Sequence, residues 1–172
     1  MALTDLMDAP AYDPARDDRR RNILIGLVVA ILLVGAVALT GYVSGHGWLF
    51  SNLGYEHRVN NFFDALEAKD YPKAYGIYYN DPDWQQHPGK YSDYPLPRFT
   101  EDWTSASPVN APITSHHVDI SRTDGSGAFG TGVIVAVRVN LNDGGGHKIF
   151  MYVNKADKTM TWPAPHELGY NP

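Results

Sequence analysis

From Ile23 to Val43 the chain runs for 21 residues without a charge, and that run constrains the fold more than any other feature. At about 1.5 Å per residue a helix of this length spans about 31 Å, close to the ~30 Å hydrocarbon core of a bilayer. Such a helix satisfies its backbone polar groups internally, which is what lets an apolar run of this length span a membrane. The competing reading is a buried core helix of a soluble domain. Apolar residues occupy every face here, without the polar stripe of a helix packed on a soluble core, so the run reads as a transmembrane helix.

The flanks set its direction. Arg16, Arg19, Arg20 and Arg21 precede the run, whereas Arg58 stands alone within fifteen residues after it. Asp17 and Asp18 do not cancel the bias, because orientation follows Lys and Arg rather than net charge. The expected topology is single-pass at the plasma (inner) membrane, with residues 1–22 cytoplasmic and the C-terminal bulk periplasmic or extracellular. Tyr42, Trp48 and Phe50 then fall where an outer aromatic belt sits, with His46 among them. Ala36-Val37-Ala38 has the form of a signal-cleavage site but lies inside the apolar run. Arg20-Arg21 has the look of a twin-arginine export signal without its usual flanking residues. The expectation is an uncleaved signal anchor.

Residues 1–22 hold five Asp, four Arg and two Pro with few large apolar residues, too few to bury a core, and read as a disordered tail. Residues 44–54, with three glycines and two serines, read as a linker. Residues 55–172 are long enough for one hydrophobic core without disulfides. The full 172 residues contain no cysteine, which excludes a disulfide framework, a thiolate metal site and a thiol nucleophile. The net charge of −5 argues against nucleic-acid binding. The tail contributes −1 of it, so the exposed domain carries −4.

Within residues 55–172, helices come first. Val59, Phe62, Phe63 and Leu66 fall at i, i+3, i+4 and i+7 and make one apolar stripe. A second helix is expected to start near Pro72 after an Asp70 N-cap, and Asn80-Asp81-Pro82-Asp83 stops it. Trp84 to Pro97 reads as a proline-stiffened loop, and Pro97 to Trp103 as a third helical turn bringing Phe99 and Trp103 to the core. Strands follow. Ile113 to Arg122 alternates, with Val118 and Ile120 on one face and His117, Asp119 and Ser121 on the other. Phe129 to Leu141 is apolar on both faces, the mark of a central strand. Asn142 to Gly146 is a hairpin turn returning through Lys148 to Asn154, and a short strand from Thr159 to Trp162 ends at Pro163 and Pro165. His166 to Pro172 reads as a loosely held tail. The order is α+β: one N-terminal transmembrane helix, then two to three helices packed on a curved antiparallel sheet of about four strands.

The run Arg58 to Tyr75 resembles the opening of the nuclear-transport-factor-two-like, cone-shaped α+β superfamily: a helix with paired aromatics (Phe62-Phe63), a short acidic turn, then a second helix from Tyr71-Pro72-Lys73-Ala74-Tyr75. Phe99 to Trp103 followed by Ile113 to Val118 is similar to that family's third helix and first long strand. The resemblance covers residues 56 to about 163. It implies helices and a curved sheet enclosing a conical pocket, where enzyme members place acids, histidines and tyrosines. It does not fix an activity, since the superfamily holds enzymes, ligand binders and adaptors alike.

His117 and Asp119, two apart on one strand, are the catalytic candidates, a general base with an orienting carboxylate, with Tyr75, Tyr78 and Asp102 in reach of such a pocket. The bland alternative is a wetted sheet face, and no isomerase pattern maps onto the chain residue by residue. Adjacent His116 and His117 point to opposite faces and no HxxxH or HExxH spacing occurs, so neither a metal nor a cofactor is expected. Trp84, Tyr91 and Tyr94 in the loop, with Trp162 near the end, are the interaction candidates, because rigid aromatics lose little entropy on binding; covering their own core is the equal alternative. Gly26, Ala30, Gly35, Ala36 and Gly41 are small residues that permit close helix packing. The function expected is that of a non-catalytic interaction protein, an accessory or assembly subunit. Its expected partners are the lipid bilayer, other membrane subunits and a second copy through the sheet face. The alternative is a small-ligand binder or acid/base enzyme using the cone pocket.

Overall fold

The computed structural model describes residues 14–125, 130–142, 144 and 146–171. The Gly125-Ser126-Gly127 turn, the Phe129 start of the central strand and parts of the Asn142–Gly146 hairpin fall wholly or partly outside them. The chain forms two compact units, dividing between Val37 and Ala38.

The first unit is helical. Helix α1 runs Pro14–Val43, starting nine residues ahead of the apolar run, and so takes in the end of the segment read as a disordered tail. Pro14 is suited to a first helical position, Asp17 sits in the first turn, and Arg21 pairs with Asp18 at 2.9 Å. Its large apolar side chains from Ile23 to Val37 are exposed on every face, Ile31 by 70%. Among the described residues this is the one helix long and apolar enough to cross a membrane.

The second unit is an α+β domain. Helix α2 is Leu53–Glu67, α3 is Tyr71–Tyr79 and α4 is Leu96–Asp102. On α2 the stripe of Val59, Phe62, Phe63 and Leu66 is buried at 0–2% exposure. Asp70 caps α3 by accepting from the Lys73 amide at 3.2 Å, Pro72 sits in its first turn, and Asn80 closes it in the left-handed conformation. On α4, Phe99 and its neighbour Trp103 are buried.

Strands β1 (His116–Asp124), β2 (Gly132–Val139), β3 (His147–Asn154) and β4 (Met160–Thr161) form one antiparallel meander in sequence order. Alternation assigns the faces of β2. Val133, Val135, Val137 and Val139 join Ile149, Met151, Val153 and Met160 in the core shared with the helices. Ile134 and Ala136 point the other way yet are equally buried, so the second face is covered as well.

Two segments expected to be loose are folded. Residues 44–54 are not a linker. Gly45 accepts from the Ser121 amide at 2.7 Å, extending the pairing along the free edge of β1. A 3₁₀ turn, Trp48–Phe50, follows, and α2 begins at Leu53. Gly41 belongs to this fold rather than to helix pairing, because a Cβ there would lie 2.6 Å from the Gly47 carbonyl oxygen and 2.7 Å from the Phe50 nitrogen. The C-terminal tail is tied down too. Lys148 Nζ donates to the Tyr170 carbonyl at 3.0 Å, and the Tyr170 ring packs edge-on against Phe150.

Candidate functional site

Strand β1 does not alternate as its sequence suggests. A β-bulge between Val118 and Ile120 shifts the register: Val118 faces Val137, Ile120 faces Ala136 and Ser121 faces Val135. One extra residue reverses every later side chain. Ser121 therefore turns inward and is 1% exposed, while Ile120 moves to the second face. The expected row of His117, Asp119 and Ser121 is broken.

His117 and Asp119 remain neighbours, on the face turned away from the helices. The Asp119 carboxylate accepts from Arg138 Nε at 2.8 and 2.9 Å, from Arg138 Nη2 at 2.7 Å and from the Tyr170 hydroxyl at 2.7 Å. Burial pushes its pKa up, but the Arg138 and Tyr170 hydrogen bonds outweigh burial and hold it below the ordinary value. His117 Nε2 lies 3.7 Å away, beyond hydrogen-bond range, on an exposed side chain. A carboxylate saturated by a guanidinium fork is a poor base. The arrangement acts as an ion-pair tie that holds the C-terminal tail to the sheet.

The interior between helices and sheet is aromatic and filled. Phe62 lies 5.0 Å from Trp103 and 5.1 Å from Phe63, and Tyr75 lies 5.2 Å from Phe99, all in edge-on pairs. The interaction candidates from the loop pack onto this cluster. Trp84 meets Tyr75 edge-on at 4.8 Å and donates from Nε1 to the Pro72 carbonyl at 3.1 Å. Tyr91 stacks on Tyr79 at 4.1 Å, and the Tyr94 carbonyl accepts from the Tyr75 hydroxyl at 2.8 Å. Trp162 rests edge-on against Trp103 yet stays 37% exposed. Burial pushes the Tyr75 and Tyr78 phenols up to about 12. Asp102 supports this cluster as well, raising the Tyr94 pKa beyond what burial alone does.

Asp81 anchors the same loop. Its carboxylate accepts from the Tyr91 hydroxyl at 2.6 Å, His87 Nδ1 at 3.0 Å and Lys90 Nζ at 3.2 Å. The Tyr91 hydrogen bond leads in lowering its pKa to about 2, against a smaller opposing effect of burial. The folded value lies below the unfolded value of about 3.9, so the stabilisation is present above about pH 4 and lost as pH falls through about 2. The expected result is loss of near-ultraviolet circular dichroism from the Tyr79–Tyr91 stack over that window. Asp81→Asn should show the weakened signal already at neutral pH; an unchanged acid profile in that variant would remove Asp81 as the cause.

Two clusters escape the sequence patterns. His116 Nδ1 meets Glu67 Oε1 at 2.5 Å and its Nε2 meets Asn60 Oδ1 at 3.1 Å, while Asn60 Nδ2 donates to Asp64 at 3.0 Å. Asp64, Glu67 and His116 lie close enough to hold a cation, but both imidazole nitrogens already have protein partners, and the group ties α2 to β1. Glu67 and His116 lie 49 residues apart, so no local pattern joins them. The second is a clasp. Glu56, 7% exposed, takes His46 Nδ1 at 2.9 Å from both oxygens and accepts from the Ser121 hydroxyl at 2.5 Å.

Open surface features lie on the helical side. One cleft of about 460 Å³ is lined by Gly54, Tyr55, His57, Arg58, Asn61, Ile77 and Lys158. A second, of about 510 Å³, shares Arg58 and Ile77 and continues past Lys73, Gly76, Asn80 and Trp84.

These features define a class: an α+β domain that follows one long apolar helix in the chain, with a packed aromatic interior and with Glu56, Asp81 and Asp119 each held by side-chain partners. No family model, no curated protein and no solved structure matches the chain.

Proposed function

We propose that this chain is a single-pass, membrane-anchored, non-catalytic interaction protein, an accessory or assembly subunit of a larger membrane complex. The observation that carries the reading is α1, whose apolar side chains are exposed on every face and need a lipid or protein environment. Arg16, Arg19, Arg20 and Arg21 ahead of them support a cytoplasmic N-terminus and an uncleaved anchor at the plasma membrane. The α+β domain is then periplasmic or extracellular. Its helix pair ahead of a four-stranded antiparallel sheet supports membership of the nuclear-transport-factor-two-like superfamily. The aromatic interior and the Arg138–Asp119 tie favour a scaffold over an acid/base enzyme. The surfaces offered to a partner are Trp162, 37% exposed, and the sheet face, where a second copy is the alternative occupant.

Topology is tested cleanly because the chain has no cysteine. Single cysteines introduced near residue 8 and at Ser105 should label with impermeant maleimide only on the domain side, and replacing the four arginines by glutamate should scramble that pattern. Mild-detergent purification followed by mass spectrometry should recover other membrane proteins in stoichiometric amounts. A bare monomer, under conditions that preserve neighbouring complexes, would overturn the accessory role.

A further inference from the structure

The cleft between the start of α2 and the end of α3 is basic in a domain that carries a net −4. Its charged lining residues are Arg58 and Lys158, with His57 beside them, and Lys73 lines the adjoining cleft; no acid lines either one. Arg58 is the unusual member. Its Nη2 donates to the Ile77 carbonyl at the end of α3, its Nε is buried without a partner, and no described carboxylate pairs with it. Burial lowers its pKa. A partly desolvated guanidinium with donors unused is costly, and a bound anion offsets that cost. Lys158 is held in place beside it, with Nζ donating to the Tyr55 hydroxyl at 2.9 Å and the Lys155 carbonyl at 2.8 Å. An ammonium has three donors, so one remains for a ligand.

The residues just before this cleft are of a different kind. Trp48, Leu49 and Leu53 are 56%, 54% and 47% exposed, and Trp48 stacks on Tyr42 at 5.3 Å. Leu49 and Phe50 both sit at positive φ, 51° and 56°, a strained conformation for non-glycine residues. A strained turn that leaves Trp and Leu side chains in solvent, directly after the apolar run, suits the interfacial layer of a bilayer. Leu53 precedes Gly54, the first residue lining the basic cleft.

We propose that this cleft binds the phosphate of an anionic phospholipid headgroup, with Arg58 and Lys158 as its cationic contacts and Trp48, Leu49 and Leu53 set among the adjoining lipid. The proposal rests on α1 being a membrane anchor. A guanidinium beside an ammonium matches phosphate oxygens. The exposed apolar residues next to it favour a lipid over an acidic peptide or a free anion.

The test uses the full chain in detergent, stripped of native lipid and read by native mass spectrometry. Phosphatidylglycerol should be retained about tenfold more strongly than phosphatidylcholine. Arg58→Gln and Lys158→Gln should each remove most of that preference, and Lys158→Gln, which leaves the α3 end untouched, carries the test if Arg58→Gln misfolds. Equal retention of the two lipids would overturn the proposal. So would displacement of phosphatidylglycerol by equimolar inorganic phosphate, which would identify a free anion, or by equimolar polyglutamate, which would identify an acidic peptide. Carbonate-resistant membrane association of the same variants reports separately on the anchor, so failure of the headgroup site and failure of the anchor are told apart.

Discussion

Phe62→Ala should lower the stability of the domain by about 3–5 kcal/mol, the usual cost of deleting a fully buried aromatic ring. Phe62 is 0% exposed and meets Phe63, Tyr78, Phe99 and Trp103 at ring distances of 5.0–6.2 Å. Removing it leaves a void lined by rings from α2, α3, α4 and the residue after α4. Those rings pack against one another, Phe63 on Trp103 and Tyr78 on Phe99 edge-on, and cannot all shift inward together. Since small domains are stable by only about 5–15 kcal/mol, the variant should sit near its unfolding threshold. Urea unfolding of the full chain in detergent, followed by tryptophan fluorescence, gives the number, with Trp103 as the local reporter. The experiment also separates two views of the interior. If the space between helices and sheet were an open ligand cone, Phe62 would line it and its truncation would cost under about 1 kcal/mol.

That interior was largely legible in the sequence. The spacing of Val59, Phe62, Phe63 and Leu66 defines one helical face, and no other local structure buries all four. Asp70-Tyr71-Pro72 carries its own start signal, and the run from Val133 to Val139 has the density of a strand buried on both faces. These features depend on residues within one turn or one strand of each other, so local pattern suffices.

The bulge at Asp119 was not legible, because a single extra residue leaves no mark in an alternating pattern. It decides nevertheless which of Ser121 and Ile120 points inward. The same limit hid the partners of Asp119 and His116. Arg138 and Tyr170 reach Asp119 from 19 and 51 residues away, and Glu67 reaches His116 from 49. Glycine-rich composition also misled at residues 44–54. The glycines read as flexible, but Gly45 and Gly47 take φ of 85° and 80° in a tight fold that other residues rarely adopt. What looked like a tether is the means by which the chain leaving α1 joins β1 and α2.

The strength of that junction turns on Glu56. Glu56→Ala should cost about 2–5 kcal/mol, since it strips the acceptor from two hydrogen-bonded groups at about 1–3 kcal/mol each. The carboxylate holds both His46 from the folded segment and Ser121 from β1, at 2.9 and 2.5 Å. Ser121 is 1% exposed, so when the acceptor goes its hydroxyl is left with the long contact to the Gly45 carbonyl at 3.4 Å. Ser121→Ala removes one donor to the carboxylate and should cost less, about 1.5–3 kcal/mol. The two changes share one hydrogen bond, so the double variant should lose less than the sum by about 0.5–3 kcal/mol. Hydrogen exchange locates the effect. In Glu56→Ala the amides of His46, Phe50 and Ser51 should exchange much faster, while those of β2 and β3 keep their protection. Limited proteolysis should then open a new cut near Trp48. If the domain loses stability evenly, without that local opening, Glu56 contributes to the core at large and the clasp has no separate existence. If the segment opens as expected, residues 44–52 are a distinct cooperative piece of the domain, held in place because one acid takes a histidine on one side and a serine on the other.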